Sequence, residues 1–412
     1  MKSNPEQRFK GEAAQPEGSR LTENPFFILR ATPRDDEKKI LSRALDLKLL
    51  YNIDTQEAQN ELLHPAGRLG AEISYLPGVP EEQLEEIRRY MEKSEADLPA
   101  PDFNPASRLA CLNGAAALME SWPVTDVKSA EAACLCLAEL CQETAAKDAF
   151  EEVNADRAAG KMEPVKESWE IIYRLNLQKS ALLKGLCSRL QTLSQNEWYD
   201  LRHRLADHFC GREDAYYRSP YLDEIVTRHM AFAVKPEISW QQERMQALMD
   251  TYRETAETGD LDEKKQDTEN DNPPEKPALN TFQKKSAKEM RDESNYLRQR
   301  KELIADLLSA LEQWDTLTKP ERMITRQKGF MESDADKLFS LLHKFFIELV
   351  TRYGDIPGYK ALIRKLDDVF FDLSLTKKQM VKKNRALVCN EKVREGKEED
   401  KEGSKETKNK AE

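Results

Sequence analysis

The residues best suited to chemistry in this sequence are His203 and Asp207, four residues apart in a segment with helical periodicity. Four residues is about one helical turn, so the imidazole and the carboxylate lie on one face and could form an acid–base pair or begin a metal site. The segment lacks the Glu and the second His of the zinc-protease pattern. We therefore favour an exposed pair that stabilises its own helix, and an enzymatic role for it ranks last.

Cysteine is the other residue type that could ligate a metal. Cys134 and Cys141 share one face of a helix, whereas Cys136 points about 200° away from Cys134 at 100° per residue, so the three thiols cannot converge. Cysteines on apolar helical stripes are typical of buried, reduced thiols. The total of seven is odd and argues against a disulfide framework, which predicts a cytoplasmic location.

Composition and missing motifs exclude further classes of function. There is no Gly-rich phosphate loop, no Gly-x-Ser-x-Gly elbow and no Cys-x-x-Cys pair. The net charge of −11 disfavours nucleic acid. Residues 1–20 lack the apolar stretch of a signal peptide, and the longest uncharged apolar run, Leu109 to Met119, is shorter than the ~20 residues of a spanning helix. We predict a non-enzymatic protein with no cofactor, metal, small-molecule substrate or membrane partner.

The most informative stretch runs from Asn24 to Gly78. Asn24 is suited to cap a short helix that begins with Pro25, and Asp35 or Asp36 is suited to cap a second helix. A third helix is expected to end at His64-Pro65, with a continuation towards Leu76. The second helix is predicted over Glu37–Tyr51, with three residues packing on the third helix and Phe27: Ile40, Ala44 and Leu47.

This order of helices and turns resembles the J-domain of DnaJ-type proteins, the module that engages DnaK-type chaperones. Counted without a gap from Ile28-Leu29, the family's His-Pro-Asp tripeptide falls on Asn52-Ile53-Asp54, where Asp54 alone matches. Tyr51, the segment Leu62-Leu63-His64-Pro65, and Arg68 with Glu72 also fit the family pattern. The resemblance covers about 55 residues. It implies that Asp54 contacts the chaperone and that Asn52 and Ile53 shape the loop.

The sequence departs from the family on the second helix, whose basic face docks on the chaperone. The positions of that face carry Leu41, Ser42, Leu45, Asp46 and Leu50 here. The cations that remain on the helix are Lys38, Lys39, Arg43 and Lys48. The predicted partner-binding residues are Asn52, Ile53, Asp54, Lys48 and Arg43.

These departures predict a co-chaperone or adaptor of a divergent DnaK-type chaperone that does not accelerate ATP hydrolysis by a standard DnaK. The alternative is a helical protein-interaction scaffold with no chaperone contact.

The remaining sequence predicts an all-α protein. Apolar residues recur at helical spacing without a fixed repeat period, which favours an irregular helical bundle or short α-solenoid followed by a C-terminal helical unit. Trp169, Trp198, Trp240 and Trp314 lie on these apolar stripes and are predicted to be core residues. The predicted segments are a disordered leader (1–21), a degenerate J-like domain (22–95), a central bundle (103–253), an acidic disordered linker (254–280), a C-terminal bundle (281–389) and a charged disordered tail (390–412).

Overall fold

A computed structural model describes residues 21–92, 103, 105–121, 124–211, 218–268, 287–330, 333–370 and 374–389, which contain helices and no strand. The all-α prediction is confirmed. None of the described helices is long and apolar enough to span a membrane. Residues 1–20, 269–280 and 390–412 of the predicted leader, linker and tail lie outside the described part. The helices are α1 (Pro25–Ile28), α2 (Glu37–Tyr51), α3 (Gln56–Leu63), α4 (Pro65–Ile73), α5 (Glu81–Glu92), α6 (Arg108–Ser121), α7 (Val127–Glu143), α8 (Ala146–Ala159), α9 (Ser168–Arg189), α10 (Gln195–Cys210), α11 (Pro220–Glu224), α12 (Ala231–Thr268), α13 (Ala287–Gln327), α14 (Ser333–Thr351), α15 (Ile356–Val369) and α16 (Leu375–Cys389).

The chain divides into two compact units, Met1–Lys235 and Pro236–Glu412. The division falls within α12 and not in the predicted acidic linker. Helix α12 continues beyond the division through the first half of that linker, to Thr268. Tyr252 and Ala256 of α12 are buried in the core of the second unit. Glu and Lys are good helix formers, so a shortage of apolar residues there does not prevent a helix.

In the first unit, the predicted J-like domain and the start of the predicted central bundle share one core. Ala110 and Ala117 of α6 are buried in the same cluster as Phe26 and Ile40. Asn113 of α6 donates from Nδ2 to the carbonyls of Ile73 and Tyr75 at 2.8 and 2.7 Å. Small residues on α6 allow this close packing, which joins α6 to the predicted J-like segment.

In the second unit, helices α12 to α16 enclose an aromatic core. Trp314 and Phe370 are buried there with their ring centroids 5.5 Å apart. The fully buried Arg322 donates from Nη1 to the Val369 carbonyl at 3.0 Å and pairs with Asp315, which holds the end of α15 against α13. Its guanidinium lies 4.8 Å from the centroid of the Trp314 ring.

The tryptophan prediction is half right. Trp198 and Trp314 are buried, but Trp169 and Trp240 are 61% and 41% exposed. The helices of the two exposed tryptophans carry apolar residues on more than one face. Periodicity alone does not tell which of these faces meets the core.

Candidate partner-binding site

The first helix of the J-like segment is fixed by Asn24. Its Oδ1 accepts the Phe26 N–H at 2.9 Å, which caps α1 as the sequence predicts. Its Nδ2 donates at 2.9 Å to both the Ala71 carbonyl and the Ser74 hydroxyl. One buried side chain therefore starts α1 and joins it to α4.

The turn before α2 is built around Asp35, which is 3% exposed. Its Oδ2 accepts the Thr32 N–H at 2.9 Å, and its Oδ1 accepts from Lys39 Nζ at 2.6 Å. Arg43 Nε lies 3.5 Å from Oδ2, and Arg43 Nη1 also donates to the Arg30 carbonyl. Two of the four cations on α2 thus point back to this turn, including the predicted site residue Arg43.

A buried ion network holds this turn against α4. Arg68 donates from Nη2 to the Pro33 and Asp35 carbonyls at 3.0 Å each, and from Nε to Glu72 Oε1 at 3.0 Å. Glu72 Oε2 accepts from Arg157 Nε of α8 at 2.8 Å. Burial raises the pKa of the Glu72 carboxyl, and the two arginines oppose that shift. Arg68 and Glu72, which fit the J-domain pattern in the sequence, therefore position the start of α2. Both are buried and do not face a partner.

Helix α2 has the predicted bounds, and Asp36 caps it by accepting the Lys39 N–H at 2.9 Å. Ile40, Ala44 and Leu47 are buried, as predicted. Its opposite face carries a leucine stripe with one residue per helical turn, and the exposed fractions of the side chains rise along it. The leucine stripe consists of Leu41 (44%), Leu45 (55%) and Leu49 (73%).

Further apolar residues lie exposed at the C-terminal end of α2. Leu50 is 72% and Tyr51 63% exposed, and Ile53 in the following loop is 44% exposed. Large apolar side chains in water at consecutive turns of one helix are unusual on a monomeric surface and typical of a binding site.

The predicted tripeptide forms the exposed loop between α2 and α3. Asn52 ends α2 in the left-handed conformation (φ 54°), and its N–H donates to the Lys48 carbonyl at 3.1 Å. The Ile53 N–H donates to the Leu47 carbonyl at 3.3 Å. Asp54 Oδ1 accepts the Gln56 N–H at 3.1 Å at the start of α3. These three residues therefore make the helix-to-helix connection.

The structure brings four of the five predicted residues to one end of α2. Asn52, Ile53 and Asp54 are consecutive and exposed, and the exposed Lys48 lies one turn earlier on the helix. Arg43 lies further back and is held by Asp35.

The other candidates for chemistry form no metal site. Asp207 is exposed and His203 is partly exposed on α10. Cys134 and Cys141 are buried, which raises the pKa of each thiol to about 12, whereas Cys136 is exposed, as its helical angle predicts. No group of three or more His, Cys, Asp or Glu within the described ranges could hold a metal ion.

Two features escaped the sequence analysis. Leu41 and Leu45 of the leucine stripe were identified only as positions that had lost the family's basic residues, and Leu49 was not singled out; a continuous exposed stripe was not predicted. The second feature is Lys179, which is 4% exposed and donates from Nζ to the Thr144 carbonyl at 2.6 Å and to the Tyr221 hydroxyl at 3.0 Å. Burial lowers the pKa of its ammonium group. The position of Lys179 on the apolar stripe of α9 could have indicated its burial. The hydrogen bonds of its ammonium group indicate a role in packing.

No protein-family model, curated protein or solved structure matches this chain.

Proposed function

We propose that this protein is a non-enzymatic co-chaperone or adaptor that engages a divergent DnaK-type chaperone through α2 and the Asn52–Asp54 loop. The observation that carries the proposal is the leucine stripe. Two of its members, Leu41 and Leu45, stand at positions where the family presents basic residues to its chaperone, and both are exposed here. A partner suited to the stripe has an apolar groove that receives these leucines.

The stripe contributes to binding through its apolar surface. Complete burial of one leucine contributes about 1.5 to 3 kcal/mol. Because Leu41, Leu45 and Leu49 are 44%, 55% and 73% exposed, their docking contributes on the order of 3 kcal/mol, or about a hundredfold in affinity. The exposed Lys48 adds a weaker contact that salt screens.

The loop supports binding without stimulation of ATP hydrolysis. Asn52 stands where the family has histidine, and its left-handed conformation ends α2. Ile53 donates a backbone hydrogen bond that proline in the family's tripeptide lacks. Asp54, the one matching residue, caps the turn into α3 with one of its carboxylate oxygens. The loop residues thus serve the fold as well as the proposed contact, and the leucines beside them add apolar surface to it.

The test uses the full chain and each purified DnaK-type chaperone of the source organism, with binding and single-turnover ATP hydrolysis measured together. One divergent chaperone is expected to bind, and the ordinary one is expected to show no acceleration of hydrolysis. Leu45→Glu should weaken binding at least about tenfold, because a charge replaces an exposed leucine that the complex would bury. The matched control is Ile347→Glu, which changes an apolar residue of α14 that is 45% exposed.

Two outcomes would overturn the proposal: no DnaK-type chaperone binds, or one binds equally well to Leu45→Glu. Strong stimulation of the ordinary chaperone that is lost in Asp54→Asn would keep a chaperone role and refute the account of the loop.

The competing function is a scaffold without chaperone contact, and a second apolar stripe favours it. Trp169, Ile172, Tyr173 and Leu177 follow one face of α9 and are all exposed, between 44% and 61%. A scaffold partner that docks there should lose affinity with Leu177→Glu and not with Leu45→Glu. Comparing these two variants against one bound protein separates the two functions.

A further inference from the structure

The second unit contains a cavity of about 450 Å³ between α13 and the connection from α14 to α15. This volume lies within the range of small-molecule sites. Most of its wall is apolar, and its polar side chains come from both α13 and the connection. The apolar wall includes Leu297, Ile304, Leu308, Pro357 and Ala361.

Arg300, which lines the cavity, has no carboxylate partner among the described residues. Its Nη2 donates to the Ala256 carbonyl at 3.3 Å, and its guanidinium lies 5.9 Å from the centroid of the Tyr252 ring. Its Nε is buried and has no hydrogen-bond partner in the described structure. Two nearby arginines differ: Arg253 pairs with Glu348 and Arg352 with Glu257, each at 2.8 Å. A partly buried guanidinium that lacks an anion is costly unless a ligand supplies one.

A second polar group lines the same cavity without a partner. The Tyr353 hydroxyl is buried and makes no hydrogen bond to any described residue. Burial raises the pKa of this phenol, so it remains protonated and able to donate near neutral pH. Tyr353 and Arg300 lie close to the same Tyr252 ring, at 5.8 and 5.9 Å from its centroid. Both residues therefore line the cavity and pack against one ring, and each has a buried donor, Arg300 Nε or the Tyr353 hydroxyl, without a partner among the described residues.

Among the described residues of the lining, one carboxylate is present, and the protein already uses it. Asp355 accepts the Gly358 N–H on Oδ1 at 2.9 Å and the Tyr252 hydroxyl on Oδ2 at 2.6 Å, at the start of α15. With Arg300 and Lys301 positive and Asp355 negative, the described lining carries one net positive charge. That charge matches one carboxylate better than a phosphate monoester, which carries −1.5 to −2.

We propose that this cavity binds a monocarboxylate with an extended apolar body, its carboxylate accepting hydrogen bonds from Arg300 and Tyr353 and its body packing on α13 and α15. Arg300 supplies a charge-assisted hydrogen bond, and Tyr353 adds a neutral one. The site lies wholly within the second unit and is independent of the partner-binding residues of α2.

Isothermal titration calorimetry on the full chain tests this site, with decanoate as the probe and decanol as its neutral counterpart, both below the concentrations at which they aggregate. Decanoate is expected to bind about tenfold or more tightly than decanol, the factor for one charge-assisted hydrogen bond. Decyl phosphate should bind less tightly than decanoate. Equal affinity for decanoate and decanol, binding of neither, or tighter binding of decyl phosphate would overturn the assignment.

Variants locate the carboxylate. Arg300→Met should abolish the preference for decanoate and leave the affinity for decanol unchanged, and Arg300→Lys should keep part of the preference. The matched control is Arg298→Met, because Arg298 on the same helix is paired with Glu302 and does not line the cavity. Tyr353→Phe, which removes only a hydroxyl, should lower the affinity for decanoate several-fold. It tests the site if Arg300→Met does not fold. An unchanged preference in Arg300→Met or in Tyr353→Phe contradicts the proposal.

Discussion

Replacing Arg68 by methionine should release the start of α2 from α4. The substitution keeps the aliphatic bulk but removes the three hydrogen bonds that the guanidinium donates to Glu72 and to the Pro33 and Asp35 carbonyls. Loss of one partner from a buried ion pair costs ~3–5 kcal/mol. Glu72 retains Arg157 at 2.8 Å, so the lower end, about 3 kcal/mol, is expected.

Hydrogen exchange with mass spectrometry measures this effect segment by segment in a protein of two units. Peptides from α2 and α4 should exchange about a hundredfold faster in Arg68→Met, since 1.4 kcal/mol corresponds to tenfold. Peptides from α14 in the second unit provide an internal reference. Arg68→Lys should recover only part of the protection, because an ammonium group cannot reach two carbonyls and a carboxylate with the geometry of the guanidinium fork.

The control variant is Arg108→Met, which removes an exposed ion pair of the same unit, with Glu143 at 3.0 Å and both side chains more than 40% exposed. An exposed pair contributes about 0–1 kcal/mol. If Arg68→Met and Arg108→Met have equal effects, the buried network does not position α2 and the reasoning fails. Arg68 helps to keep Glu72 ionised. The difference in exchange rate between Arg68→Met and the native protein should therefore become smaller in acid, where Glu72 is protonated.

Two further predictions concern the loop and the second unit. Asn52→Gly should leave thermal stability nearly unchanged. Asn52→Val should lower it by about 1 kcal/mol, because a β-branched residue is strained in the left-handed conformation of Asn52. Equal melting temperatures of the two variants would show that this conformation is unimportant. Burial lowers the pKa of His343 below its ordinary value of 6.5, so the unfolded state binds more protons and the stability of the second unit should fall as the pH drops through 6.5. Urea unfolding at several pH values should show a shallower decline in His343→Gln, and an unchanged slope would exclude His343 as the cause.

Local signals with one physical solution could be predicted from the sequence. Asn24 before Pro25, and one of the two candidates Asp35 and Asp36 before Glu37, were expected to satisfy orphan N–H groups, and the caps form at Asn24 and Asp36. The angular position of Cys136 relative to its neighbours also follows from helix geometry alone.

Several features that depend on tertiary packing could not be predicted. Helix α9 carries apolar residues on more than one face, and only its tertiary contacts decide that Ile171 is buried while Trp169 remains exposed. The sequence therefore placed Trp169 wrongly in the core. The division at Lys235–Pro236 depends on long-range contacts of Tyr252 that local composition does not encode. Arg300 gave no signal, because the sequence does not show which cations find carboxylates.

The most direct test of the central claim is site-specific photo-crosslinking in cells of the source organism, with a photoreactive phenylalanine analogue at position 45 of the leucine stripe and, as control, at position 347 of α14. Identification of the crosslinked protein by mass spectrometry names whatever covers α2. We expect a DnaK-type chaperone to crosslink at position 45 and none at position 347. A different protein at position 45, or the same chaperone crosslinked equally from both positions, would contradict the proposed function of α2.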